Sequence, residues 1–138
     1  MGRSLPASQF PPTAVRILNW AVVGMDGANR GTRMFLRNCW YVAAWDHEVH
    51  RLQLARRLLL GVAVVLYRNA GGRLVALEDR CCHRHAPLSM GRVRGSNVEC
   101  KYHGLQFDPS GKCVHIPWHE AIPPSACVRS YPVVEKYH

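Results

Sequence analysis

Asp79-Arg80-Cys81-Cys82-His83-Arg84-His85-Ala86-Pro87-Leu88-Ser89-Met90-Gly91 is followed, eight residues later, by Cys100-Lys101-Tyr102-His103-Gly104-Leu105. The first segment contains C-x-H and the second C-x-x-H, with sixteen residues between His83 and Cys100. Each segment offers one thiolate and one imidazole. Two such loops can clamp a pair of metal ions, with the thiolates Cys81 and Cys100 on one iron and the imidazoles His83 and His103 on the other, so that each iron draws one ligand from each loop. Gly91 and Gly104 suit backbone that wraps a cluster closely, because neither carries a Cβ, and Pro87 stiffens the first loop. A structural zinc on the same four residues is the competing reading. It is weakened because C-x-H is tight for two ligands of one tetrahedral ion and zinc sites favour C-x2–4-C pairs.

Outward from these loops the chain reads as strand. Leu58 to Tyr67 (LLLGVAVVLY) is a nearly unbroken apolar run, the pattern of a buried strand. Asn69-Ala70-Gly71-Gly72 supplies a turn and Arg73 to Glu78 alternates, so 58–78 is predicted as one hairpin. Asp108-Pro109-Ser110-Gly111 places turn residues between Leu105-Gln106-Phe107 and Cys113-Val114-His115-Ile116, which predicts a second hairpin. Trp40 to Trp45 (WYVAAW) and Val128 to Tyr137 are further strand candidates, with Trp40, Tyr41 and Trp45 expected in the core. Only His47 to Leu60 is expected to hold a helical turn. The fold class is therefore all-β and mostly antiparallel.

A chain of 138 residues has room for one domain with a modest core. It is 48% hydrophobic and 20% charged, and no apolar run approaches the roughly 20 residues of a membrane-spanning helix, so no membrane partner is expected. The six cysteines lack the regular spacing of a disulfide scaffold, which directs attention to metal ligation. Lys plus Arg number 18 against 9 acidic residues, a net charge of +9. The cations are scattered apart from Arg80, Arg84, Arg92, Arg94 and Lys101, which bracket both ligand loops. No aromatic-interleaved basic motif accompanies them, so nucleic acid is not an expected partner. Residues 1–33 carry Pro6, Pro11, Pro12, four Arg and Asp26 as the sole acid. They read as an extension, disordered or preceding a start at Met34, ahead of a domain at 34–138. The apolar patch Ile17 to Val23 is too short and too late for a secretory signal, and a cytoplasmic location is expected.

The two loops resemble those of the Rieske iron-sulfur family, whose motif pairs C-x-H with a later C-x-x-H at this separation. The likeness extends to Pro87-Leu88-Ser89, Tyr102-His103-Gly104, Phe107-Asp108 and Gly111, and covers roughly residues 35–137. Asn38 to Ala43, Leu77-Glu78-Asp79 and Ile122-Pro123 are similar to the oxygenase components of the vanillate O-demethylase and phthalate dioxygenase type. The resemblance implies a Rieske-type antiparallel β-sandwich carrying a small cluster-binding subdomain of two loops. It implies a 2Fe-2S cluster held by Cys81, His83, Cys100 and His103, and a flavin or ferredoxin reductase as electron donor. The implied acceptor is a mononuclear non-haem iron in a catalytic domain outside these residues. On that reading the chain transfers electrons within an oxygenase of aromatic compounds, demethylating or ring-hydroxylating, and contains no catalytic residue itself; a homo-oligomer at full length is left open. The alternative is a stand-alone Rieske ferredoxin acting as a carrier.

Against the respiratory members of that family, the positions of the loop disulfide match Ala86 and Tyr102, and the hydroxyl donor to the cluster matches Leu105. With fewer hydrogen bonds and no bridge, the potential is expected at the low end of the Rieske range of about −150 to +300 mV. Cys82 stands where many relatives have proline and is expected to turn its side chain away from a cluster. His115, His119 and Glu120 raise a 2-His-1-carboxylate reading, weakened because they follow a cluster-loop strand directly. His47 and His50 read as surface residues, and His85 as an exposed neighbour of the ligands. The five grouped cations read as a positive rim facing an acidic redox partner.

Overall fold

The computed structural model describes residues 14–19 and 39–136. Among these, ten strands form three antiparallel sheets. In the first, β1 (Ala14–Asn19) lies between β2 (Cys39–Trp45) and β10 (Val133–Lys136). The second is β3 (Leu54–Leu59), β4 (Val62–Arg68) and β5 (Leu74–Glu78) in chain order. The third is a meander of β6 (Arg92–Arg94), β7 (Asn97–Glu99), β8 (Gln106–Phe107) and β9 (Cys113–His115). Two short 3-10 turns, Asp46–Glu48 and Leu88–Met90, are the helical elements among the described residues. No helix among the described residues is long and apolar enough to cross a membrane.

The middle sheet is covered on both faces, which explains its sequence. Along β4, Val65 and Tyr67 enter one core with Leu77, Leu88, Val98 and Phe107, while Val64 and Leu66 enter the other with Val15, Ala44 and Val49. A strand with no solvated face has no place for the polar half of an alternating pattern. Each such Val, Leu or Phe contributes about 1.5–3 kcal/mol by burial. The first core also contains Cys81 and Cys100, so the ligand loops are packed onto the sandwich rather than hung from it. Tyr67 extends the connection by donating its hydroxyl to Ser96 O, 3.3 Å away in the β6–β7 turn.

Several expectations need correction. The run from Leu58 to Tyr67 is two strands, because Leu60 (φ 53°) and Gly61 (φ 84°) make a tight two-residue turn with both central residues left-handed. Such turns match strand twist, but leucine is a poor advertisement for one. Leu58 accordingly lies on the outer strand and is exposed; of the segment His47 to Leu60, where a helical turn was expected, only the start carries one, in Asp46–Glu48, and Leu54–Leu59 is strand. The expected turn after Arg68 is present, with Asn69 Oδ1 accepting from Arg73 N–H at 3.0 Å and Gly72 at φ 79°. The Asp108 turn is present too, Oδ1 accepting from Ser110 N–H at 2.8 Å and Lys112 N–H at 3.1 Å.

Trp40 and Trp45 are exposed and Tyr41 is half-buried, so the aromatic residues of β2 are not its core face; Ala43 and Ala44 are. β2 is an edge strand paired to β1, and a bulge that leaves Ala43 between Val42 (opposite Arg16) and Ala44 (opposite Val15) puts both alanines in the core with Val64 and Leu66 of β4. Ala14–Asn19, read as part of an extension, is instead the middle strand of the first sheet, with Ala14 and Val15 fully buried. An apolar Ala-Val-x-Ile segment inside a Pro- and Gly-rich stretch finds its ladder partners on both sides only in three dimensions. The rest of 1–33 and the start at Met34 lie outside the described residues. Of the expected strand Val128 to Tyr137, the described residues form strand over Val133–Lys136, with Ser130 making a single bridge to Leu77 and Tyr137 lying outside the described residues.

Candidate metal centre

One closed turn is used twice to build the ligand loops. In the first, Cys81 N–H donates to Ala86 O and His85 N–H donates to Cys81 O, both at 2.9 Å. In the second, Cys100 N–H donates to Leu105 O at 2.8 Å and Gly104 N–H donates to Cys100 O at 3.0 Å. The fourth residue after each cysteine is left-handed, with φ 57° at His85 and 76° at Gly104. Glycine adopts that backbone without strain, whereas His85 holds it at a cost of about 1–2 kcal/mol. The loops differ in where the imidazole departs: two residues after Cys81, three after Cys100.

This arrangement separates the donor atoms into two layers. Cys81 and Cys100 are each 2% exposed and share one core cluster. The rings of His83 and His103 are exposed, with centroids 4.6 Å apart and planes inclined by 56°. Burial pushes the Cys81 thiol up to about 12, against the pull of the His83 N–H on its sulfur and with reinforcement from Cys100. Metal ions that displace those protons compensate the buried sulfur charge. Two soft sulfurs inside and two imidazoles at the surface suit a two-metal group whose ions take different ligands. Among the described residues no three Cys, His, Asp or Glu side chains converge on one ion, which disfavours a single tetrahedral zinc. It equally leaves His115, His119 and Glu120, all exposed, unassembled as a 2-His-1-carboxylate site.

The first loop is tied to the sandwich by Asp79, a role not visible in the sequence. Its carboxylate is fully buried and accepts from Ser89 N–H at 2.7 Å, Ser89 O–H at 2.7 Å and Arg56 Nε at 3.1 Å. Its own N–H donates to Ala63 O at 2.9 Å. Thus β3, β4 and the 3-10 turn at Leu88–Met90 are fastened two residues before Cys81. Gly91 permits the two loops to approach, since a Cβ there would sit 1.9 Å from Glu99 O. At Gly104 a Cβ would lie 2.9 Å from Pro117 Cγ, on a backbone that already disfavours one.

A groove of about 720 Å³ flanks the imidazole pair, with His83, His103, Leu105, Ile116 and Trp118 among its walls. Trp118 is fully exposed and left-handed (φ 66°), a combination that the sequence does not signal. Cys82 lines the same groove, half-buried, and burial together with the nearby Cys127 raises its thiol above the ordinary range. On the cationic rim, Arg92 and Arg94 converge on Glu99, at 2.6 and 3.3 Å. Arg80, Arg84 and Lys101 are exposed and pair with no carboxylate among the described residues. His47, His50 and His85 are at the surface.

Comparison with known proteins agrees with this geometry. A family model described as the Rieske [2Fe-2S] domain matches residues 39–132. The toluene-4-sulfonate monooxygenase system iron-sulfur subunit TsaM1 of Comamonas testosteroni is 61% identical over 75% of this chain and 30% of its own length. The dicamba O-demethylase oxygenase component of Stenotrophomonas maltophilia is 48% identical over 74% of this chain and 30% of its own. A crystal structure of dicamba monooxygenase superposes with a TM-score of 0.69 at 46% identity, covering 72% of this chain and 32% of the other. The chain therefore spans about a third of the length of these relatives.

Proposed function

The chain belongs to the Rieske 2Fe-2S domain family, and from that premise we propose that it is the electron-transfer domain of an oxygenase acting on aromatic compounds, of demethylase or ring-hydroxylating type. Its cofactor is a Rieske-type 2Fe-2S cluster, with Cys81 and Cys100 as the sulfur ligands and His83 and His103 as the nitrogen ligands. When bound, the cluster takes up and gives back one electron at a time. A reductase supplies the electron, and a mononuclear non-haem iron in a separate catalytic domain receives it. The relatives are components of multi-component systems, which supports such a division of labour.

The observation that carries this reading is the repeated turn, which buries both thiols and leaves both imidazoles at the surface. The chain's own residues then do three things. The buried cysteines exclude water from the sulfur side. The backbone N–H of His83 donates toward the Cys81 sulfur and stabilises its charged form. The exposed imidazole edges bring the redox centre within reach of a partner surface, and the apolar groove beside them offers the acceptor a face from which water can be displaced.

Chemical analysis of the purified chain tests this. Two irons and two acid-labile sulfides per chain are expected, with a low-average-g paramagnetic signal after reduction. Replacing His83 or His103 by Cys should shift that signal toward an all-thiolate cluster or abolish it, while Cys39→Ser, Cys113→Ser and Cys127→Ser should leave it intact. One zinc per chain without labile sulfide would overturn the proposal.

A further inference from the structure

The middle strand of the first sheet comes from outside the stretch that the family model matches. That stretch is 39–132, whereas β1 is Ala14–Asn19. Among the described residues β2 and β10 do not pair with each other; each is laddered to β1, antiparallel, with Arg16 opposite Val42 on one side and Val134 on the other. Without β1 these two strands would face each other as edges across a gap one strand wide. The floor of that gap is the second core. Val15 and Ile17 enter it, 0% and 3% exposed, with Val64, Leu66 and Ala76.

Three features mark β1 as an inserted part. Residues 20–38 separate Asn19 from its neighbour Cys39, nineteen residues where an antiparallel pair needs roughly two to five. The ladder to β2 changes register between Val15 and Arg16. A cavity of about 20 Å³, enough for about one water-sized probe, remains where Ile17 meets Tyr41, Leu59, Val62 and Tyr131, so the slot is not filled to its limit. What holds the strand is a main-chain ladder on both edges and apolar side chains beneath, which is the way a sheet takes up an added strand. A second copy of the chain supplies the same segment and hence the same contacts.

We propose that the gap between β2 and β10 is a strand-acceptor site, and that two copies of this chain exchange Ala14–Asn19 through it to form a dimer. In the exchanged form each β1 lies between β2 and β10 of the other copy, in the same registers, and residues 20–38 cross from one copy to the other. Fully extended, nineteen residues reach about 60 Å. No covalent bond forms or breaks. The segment's own copy competes at an effective concentration of about 1 mM, so exchange is rare in dilute solution and becomes comparable to the closed monomer near that concentration. Cys81 and Cys100 belong to the other core, so the exchange joins two ligand-loop pairs in one assembly without altering either.

The test uses the full chain carrying Arg16→Cys and Val42→Cys, a directly opposed pair on neighbouring strands. Equal amounts of unlabelled and 15N-labelled chain are kept reduced together at about 1 mM, diluted, oxidised with diamide and mapped by mass spectrometry. Linked 16–42 peptides of mixed isotope are expected, approaching half of all such links within the dimer that light scattering detects. They should fall away when the two samples are mixed only after dilution. Links of like isotope alone, at every concentration, would overturn the exchange. So would mixed-isotope links that join the native cysteines as often as 16 to 42, since these report random collision. A second measurement adds a labelled synthetic peptide of residues 12–21, read by fluorescence anisotropy. The Val15→Asp chain, whose own strand carries a charge that the core rejects, should bind it about tenfold more tightly than the parent, and a peptide with Ile17→Asp should not bind. Equally tight binding of an unrelated apolar peptide would overturn self-exchange. If the Val15→Asp chain does not fold, the isotope experiment decides by itself.

Discussion

Asp79→Ala is expected to loosen the first ligand loop more than any substitution of a surface ion pair. The buried carboxylate receives two short bonds from Ser89, through N–H and O–H, each at 2.7 Å. Hydrogen bonds to a charged group are worth about 1.5–3 kcal/mol, and a buried donor left without a partner costs a similar amount. The Arg56 bond adds little, about 1 kcal/mol or less, because that side chain is 58% exposed and turns to water when released. Removing the carboxylate also removes its own desolvation penalty, so the net loss is about 3 kcal/mol. Ser89→Ala loses one bond and should cost about 1 kcal/mol. The two substitutions share a partner, so the double variant should be less destabilised than the sum. The assay is the apparent melting temperature of the cluster-loaded chain at fixed scan rate, together with the rate at which visible absorption is lost to a chelator. Asp79→Ala should lower the midpoint by roughly 10 °C and speed cluster loss. If Arg56→Ala proved as damaging as Asp79→Ala, the carboxylate would be anchoring β3 rather than the loop, and the reasoning would fail.

Three further outcomes follow from local geometry. Gly104→Ala should cost about 1–3 kcal/mol, through its positive φ and the crowding of Pro117 Cγ, while His85→Gly at the equivalent place in the other loop should be neutral or stabilising by up to about 1 kcal/mol; chemical denaturation of both compares them directly. Leu58→Glu should change stability by less than about 0.5 kcal/mol, but Leu66→Glu, at a fully buried position of β4, should prevent folding, as read by circular dichroism. Glu48 is held below the ordinary carboxylate range, first by the Trp45 N–H at 2.8 Å, which with Arg57 and His47 outweighs the opposing effect of desolvation. A depressed folded-state value gives stability above the ordinary value and loses it as pH falls through the folded one. Glu48→Gln should therefore melt below the parent at neutral pH and match it in strong acid.

The chemistry-bearing residues were legible because ligand identity and spacing are local properties. C-x-H and C-x-x-H, the glycines and the two polar turns are each settled within a few residues, and so is the preference of Asp108 and Asn69 for accepting turn N–H groups. The misreadings came from segments whose state depends on distant partners. Leu58 to Tyr67 looked like one strand because apolar character marks burial and not chain direction, and the reversal at Leu60-Gly61 has only one weak turn signal. Trp40 and Trp45 looked like core because of their size, yet the register to β1, with its bulge at Ala43, turns Ala43 and Ala44 toward Val64 and Leu66 of β4 instead.

By itself, then, the sequence determined the all-β class, the turn chemistry and the four candidate ligands, since all of these follow from side-chain type and separations of a few residues. Tertiary structure alone decided that Ala14–Asn19 joins the first sheet as its middle strand, that Asp79 bonds Ser89 across ten residues of chain, and that His85 and Gly104 occupy equivalent left-handed places. It also decided that two cysteines nineteen residues apart share one buried floor while their histidines share one exposed rim. The reason is that burial and hydrogen-bond partnership belong to pairs of segments. Each is set when a second segment arrives, and no single segment records which one it will be.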